Sequence, residues 1–177
     1  MAAIDIGIVL SSITAGTVPG YTLLTKANPA NGTGTLVTFK IYLSGTYGDG
    51  TSVKMGTFSG SGTTWTVRDY QSLGTVTSGS VQTFTGLDCS VSTNDILGAY
   101  VATTGRLAYI GTGGSNILYV SGDKFASGAT VYAENAGWDY SLYAESTTGW
   151  TGKINGVTNP AKIWGVPVAN IAKVVGI

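Results

Sequence analysis

Apolar and polar side chains alternate over short stretches of this chain, with turn-forming residues between them, and no stretch keeps a helical period. Every apolar run is cut by Gly, Pro or Asn before three helical turns could form, and β-branched residues fill much of the rest. Strands are therefore expected. Leu36 to Leu43 alternates after Asn31-Gly32-Thr33-Gly34. Ser52 to Phe58 follows Gly48-Asp49-Gly50, and Thr64 to Tyr70 is expected to pair with it across Ser59-Gly60-Ser61-Gly62. Val81 to Phe84 precedes a bend expected at Gly86. Ile96 to Val101 is expected to lead through Thr104-Gly105 into Arg106 to Ile110 as a second hairpin. With Ile117 to Val120, Thr130 to Ala133 and Tyr140 to Tyr143, the total comes to about eight to ten strands.

That number and spacing predict an all-β protein, an antiparallel β-sandwich of jelly-roll-like form. In Thr64 to Tyr70, residues Trp65, Val67 and Asp69 share one face, while Thr66, Arg68 and Tyr70 share the other. Trp65 and Val67 are expected in the core, with Tyr42, Phe58, Phe84, Leu97 and Leu118. Three regions follow: residues 1–30 as an N-terminal arm with one early strand, 31–148 as the sandwich domain, and 149–177 as a short β tail.

The tail repeats one phrase, Lys-apolar-x-Gly-apolar. It reads Lys153-Ile154-Asn155-Gly156-Val157, then Lys162-Ile163-Trp164-Gly165-Val166, then Lys173-Val174-Val175-Gly176-Ile177. The starts lie nine and eleven residues apart, which suits short strands joined by tight turns. Asn159-Pro160 and Pro167 stand between copies, where a missing amide hydrogen favours turns or sheet edges. A few short strands alone are marginal in water. The tail therefore asks for a partner, either its own domain, another copy or a foreign protein. Its apolar residues Ile154, Val157, Ile163, Trp164, Val166, Ile171 and Val174 are the assembly candidates.

A chain of 177 residues can bury a real core in one domain. Charged residues make up 10% of it, against a usual ~25%. Nine basic residues cancel nine acidic ones, so the clustered basic excess of a nucleic-acid binder is absent and no nucleic-acid partner is expected. Lys153, Lys162 and Lys173 lie beyond the last acid, Glu145, leaving a basic tail on an acidic body. Those lysines could orient head-to-tail contacts or simply guard exposed strands. Met1-Ala2-Ala3-Ile4-Asp5-Ile6 carries an acid inside its apolar run and lacks a basic start, unlike a secretory signal. No stretch approaches the ~20 apolar residues that span a bilayer, so a soluble protein made in the cytoplasm, with no membrane insertion, is expected.

The inventory of reactive groups is thin. With no histidine there can be no His-based triad, His general base or His-ligated zinc. Cys89 is alone and stands beside Asp88, which disfavours a thiolate, so it reads as a small buried hydrophobe. No Gly-x-Ser-x-Gly elbow or phosphate-binding glycine motif occurs. Two carboxylates could cleave a glycosidic bond, and Asp69, Asp95, Asp123, Glu134, Asp139 and Glu145 are the candidates. Nothing places two of them at the needed separation, and Asp95 and Asp123 sit where Asp commonly caps turn amides. No Asp-rich loop of calcium-binding pattern occurs either. The expectation is a non-enzymatic protein without metal or cofactor. Trp138, Tyr140, Tyr143 and Trp150 lie close together beside Asn135, Asp139 and Glu145. Such rings could form a platform for a glycan, close the end of a sandwich or meet a neighbouring subunit.

Several segments resemble an uncharacterised group of β-sandwich surface proteins of tailed-bacteriophage virions. They are Asn28-Pro29-Ala30-Asn31-Gly32-Thr33-Gly34-Thr35-Leu36 with Lys40-Ile41-Tyr42, and Gly56-Thr57-Phe58-Ser59-Gly60-Ser61-Gly62 with Arg68-Asp69. Gly79 to Leu87, Leu97-Gly98-Ala99-Tyr100, the Lys-Ile-Asn-Gly-Val phrase and Ala169-Asn170-Ile171-Ala172-Lys173 continue it. No catalytic motif travels with the likeness. It implies a virion structural protein, a capsid decoration or head-surface protein ahead of a tail-tip or fibre subunit. Its partners would be copies of itself and other virion proteins. The alternative is a glycan-binding module of a phage tail tip, fibre or bacterial surface protein, recognising a host surface glycan.

Overall fold

The computed structural model describes residues 3–9, 15–111, 113–146, 153–154, 157–158, 162–163 and 166–167. The chain divides into two compact units, of which one spans Ile4–Ser146 and the other takes in the C-terminal segment. The first unit opens with β1 (Asp5–Ile8), β2 (Ala15–Gly16), β3 (Tyr21–Thr25) and β4 (Gly34–Tyr42). A single 3-10 turn, Gly45–Tyr47, precedes β5 (Gly50–Ser61), β6 (Thr64–Val76), β7 (Val81–Val91) and β8 (Ile96–Tyr100). Then come β9 (Thr103–Thr104), β10 (Ala108–Ile110), β11 (Asn116–Ser121) and β12 (Thr130–Val131). It closes with β13 (Ala133–Ala136), β14 (Asp139–Tyr140) and β15 (Leu142–Glu145). The protein is all-β with antiparallel ladders, a sandwich-like architecture.

Three sheets make up this unit. The largest runs β12-β6-β5-β8-β3-β11-β13, with β9 added beside β5. Its two end strands are successive pieces of one stretch, separated only by Tyr132, so the sheet nearly closes on itself. Alternation, interrupted by register shifts between β5 and β6, fills both of its faces. Leu24, Phe58, Trp65, Ile96 and Leu118 meet Phe125 and Tyr132 inside the barrel-like curl. Leu23, Val53, Met55, Leu97, Ala99 and Ile117 point the other way, into a second core shared with a four-stranded sheet, β1-β15-β4-β7. That sheet contributes Ile6, Leu36, Phe39, Ile41, Cys89, Leu142 and Ala144. A three-stranded sheet, β14-β10-β2, completes the unit.

Several sequence expectations change. Residues 5–25 supply three strands, one to each sheet, where an arm with one strand was expected. No hairpin joins 96–101 to 106–110. β8 lies between β3 and β5, while β10 pairs with β2 and β14 in another sheet. Tyr140 to Tyr143 is two strands, because Ser141 carries the chain from the three-stranded to the four-stranded sheet. Its amide donates to Ala108 O (3.0 Å) and its carbonyl accepts from Tyr42 N (3.3 Å). Gly86 does not end β7. The β4–β7 register shifts between Leu36 and Thr38, a bulge, and β7 continues to Val91. The bulge reverses the parity of β4, so Phe39 and Ile41 are buried and Tyr42 is only half-buried. Phe84, on the edge strand, packs on the core half-buried. Trp65, Phe58, Leu97 and Leu118 are buried as expected, and Val67 is partly so.

In the C-terminal segment β16 (Lys153–Ile154) pairs with β17 (Val157–Thr158), and β18 (Lys162–Ile163) with β19 (Val166–Pro167). Each of these two phrase copies is thus its own minimal hairpin. Ile154, Val157, Ile163 and Val166 occupy equivalent pairing positions, Ile154↔Val157 and Ile163↔Val166. Trp164, Ile171 and Val174 lie outside the described residues.

Candidate functional site

A cleft of about 370 Å³ opens where the outer face of the large sheet runs past β3, β11 and β13 and meets the three-stranded sheet. The large sheet supplies Tyr21 and Leu23 from β3, Ile117 and Tyr119 from β11, and Asn135 from β13. These share a face because Ile117 stands opposite Asn135, Tyr119 opposite Leu23 and Ser121 opposite Tyr21. The other wall holds Tyr109 of β10, Trp138 and Tyr140, with Thr17 and Val18 at the chain leaving β2. Tyr109 and Trp138 stack face to face, 4.4 Å between ring centroids and 7° between planes. Tyr21 and Tyr119 approach at 6.5 Å with tilted rings. Tyr140 forms the buried base, and burial raises its hydroxyl pKa well above the usual tyrosine range.

The position of Trp138 is fixed by a tight knot of backbone. Gly114 N donates to Gly137 O (2.9 Å), and Gly137 N donates to Ser115 O (3.1 Å). Ser115 N donates to Asp139 Oδ1 (3.0 Å). Gly114 is required by close approach, since a Cβ there would lie 2.6 Å from the Trp138 carbonyl carbon and 2.9 Å from Asp139 Cγ. Asp139 is buried, and desolvation raises its carboxyl pKa against the opposing pull of the Ser115 amide.

Among the described residues that line the cleft, the polar side chains are uncharged. The Thr17 hydroxyl oxygen is buried with no hydrogen-bond partner, although its backbone is held by donation from Thr17 N to Leu107 O (3.0 Å). Asn135 makes no side-chain hydrogen bond to another described residue, and Val18 is 59% exposed.

Of the four aromatic residues singled out in the sequence, the structure brings Trp138 and Tyr140 together. Tyr143 lies on β15 and lines a separate depression with Asp5, Asn28 and Lys40. Its ring carries the Lys40 ammonium 5.0 Å from the centroid, and its hydroxyl donates to Glu145 Oε2 (3.1 Å). Burial, then the Glu145 charge, pushes its pKa up to about 12. Trp150 lies outside the described residues. Tyr21, Tyr109 and Tyr119 were missed. Their signal was the alternation Tyr21-Leu23 and Ile117-Tyr119, which marks a shared face but not which sheet lies opposite.

The candidate acids are each engaged in a separate structural role. Asp69 accepts from Tyr70 N (2.8 Å) and Ser90 N (2.7 Å). Asp95 is buried, accepts from Ser92 N (2.8 Å) and is forked by Arg68. Asp123 accepts from Phe125 N (3.0 Å) and pairs with Lys54. Glu134 pairs with Lys26 (2.7 Å), which lowers its pKa, and Glu145 pairs with Lys40 (3.3 Å). Cys89 is fully buried, and desolvation pushes its thiol up to about 12. Among the described residues no three carboxylates or thiols converge as metal ligands. The chain matches no family model, no curated protein and no solved structure.

Proposed function

We propose that this chain is a non-enzymatic structural protein of a bacteriophage particle, a capsid decoration or head-surface protein, built to assemble with copies of itself and with other virion proteins. The observation that supports this is the division of labour along the chain. Ile4–Ser146 forms a unit with its own cores, and in the segment beyond it one short phrase builds the same minimal hairpin twice. Two-residue strands bury too little to stand alone, so such hairpins draw their stability from a surface that covers them. Ile154, Val157, Ile163, Trp164, Val166, Ile171 and Val174 are assigned to that contact. The test combines two readouts. Light scattering behind size exclusion, on the full chain and on residues 1–148, should give an oligomer and a folded monomer. Ile163→Asp with Trp164→Asp should strip the protein from purified particles while leaving the unfolding midpoint of the first unit unchanged. Full particle occupancy by that variant would refute the assignment.

A second reading, compatible with the first, is favoured by the aromatic cleft: a glycan-binding module that engages a host surface polysaccharide. Aromatic walls with a few convergent polar groups, in a cleft of this volume, are what small-ligand recognition uses.

A further inference from the structure

We infer that the cleft between the large and three-stranded sheets selects an uncharged pyranose ring, held beside the Tyr109–Trp138 stack and hydrogen-bonded by Asn135. This rests on the glycan-binding reading and narrows it to a ligand class.

Three observations converge on it. First, among the described residues no lysine, arginine, aspartate or glutamate lines the cleft, so a carboxylated or sulfated sugar would lose water there without gaining a counter-charge. Desolvating an unpaired charge costs far more than desolvating a hydroxyl. Second, the Asn135 side chain lines the cleft and makes no hydrogen bond to another described residue. A sugar hydroxyl can pair with its amide, and an aromatic hydrocarbon cannot. Third, the walls are flat and preset. The Tyr109 and Trp138 rings stack 7° from parallel, with Trp138 tied by the Gly114–Gly137 backbone bonds. Rings already held in place lose little freedom on binding, which favours a ligand presenting a flat C–H face. A pyranose offers that face together with hydroxyls at its rim.

The test is calorimetric titration of the full chain with matched neutral and acidic saccharides: glucose, galactose, mannose and N-acetylglucosamine oligomers against glucuronate and galacturonate oligomers. A neutral member should bind at least ten-fold more tightly than its acidic counterpart. Trp138→Ala should weaken it ten-fold or more. Asn135→Ala, which removes the amide that lines the cleft, should weaken it several-fold without lowering the unfolding midpoint. It serves as a second variant on a different strand should Trp138→Ala fold poorly. Equal or tighter binding of acidic oligomers would overturn the selectivity while leaving glycan binding intact. Neutral binding undiminished in Trp138→Ala and Asn135→Ala would move the site elsewhere. Binding of indole but of no saccharide, or of nothing in the panel, would overturn both this inference and the glycan reading.

Discussion

The Tyr132 hydroxyl is buried in the interior of the curled sheet with no hydrogen-bond partner, and desolvation pushes its pKa up to about 12. The ring itself is well used, standing 6.5 Å from Phe58 at a near-perpendicular angle. Tyr132→Phe keeps that contact and removes the orphan oxygen, so it should stabilise the protein by about 1 kcal/mol, read as a higher denaturant midpoint at constant m-value. Asp139 is the complementary case. Its folded pKa lies above the ordinary aspartate value because burial disfavours the charge, so the folded state holds the proton more tightly than the unfolded one. Ionised Asp139 therefore costs stability at neutral pH, and that cost fades as pH falls through the folded pKa towards the unfolded value. Asp139→Asn can still accept from Ser115 N. It should melt higher than the parent at pH 7, with the advantage shrinking as the melts approach about pH 4. An advantage independent of pH would mean that the carboxylate is not the source.

At the scale of elements, the connection from β11 to β12 does more than link strands. Gly122 O accepts from Thr22 Oγ1 (2.7 Å), Lys124 N donates back to Thr22 Oγ1 (3.0 Å), and Asp123 receives Phe125 N. These bonds turn the loop inward and seat Phe125 against Phe58 (5.2 Å, edge-on) and Tyr70 (5.3 Å). The loop is thus a plug for the interior of the large sheet. Phe125→Ala should cost about 3–5 kcal/mol, because the rim strands cannot collapse into the space. Its effect in chemical denaturation should exceed that of Asp123→Ala, which removes only the capping contact and an exposed ion pair. The strands that flank this loop were legible beforehand, since Ile117 to Val120 is a short apolar run ended by the Gly122-Asp123 turn. The plug was not. Phe125 lies in a polar, Gly-rich loop, and its burial depends on a curl formed by strands distant in sequence.

For the whole molecule, near-closure of the large sheet organises everything else. It gives one set of side chains an interior, turns the opposite set towards the four-stranded sheet, and leaves β3, β11 and β13 facing the three-stranded sheet across the cleft. The sequence by itself determined the local choices: strands instead of helices, the β5–β6 hairpin, the buried Trp65, Phe58, Leu97 and Leu118, and turn-capping roles for Asp95 and Asp123. These follow from backbone period and turn chemistry, which act over a few residues. Only the tertiary structure decided which strands meet. It placed β8 and β10 in different sheets despite the Thr104-Gly105 turn signal, reversed the faces of β4 by a single bulge, and split Tyr140 from Tyr143 at Ser141. It also gathered Tyr21, Tyr109 and Tyr119 around Trp138 from strands remote in the chain. Alternation says that two residues share a face and is silent on what the face meets. A one-residue shift in register inverts it, and partner choice is settled by contacts between distant segments that no local pattern encodes.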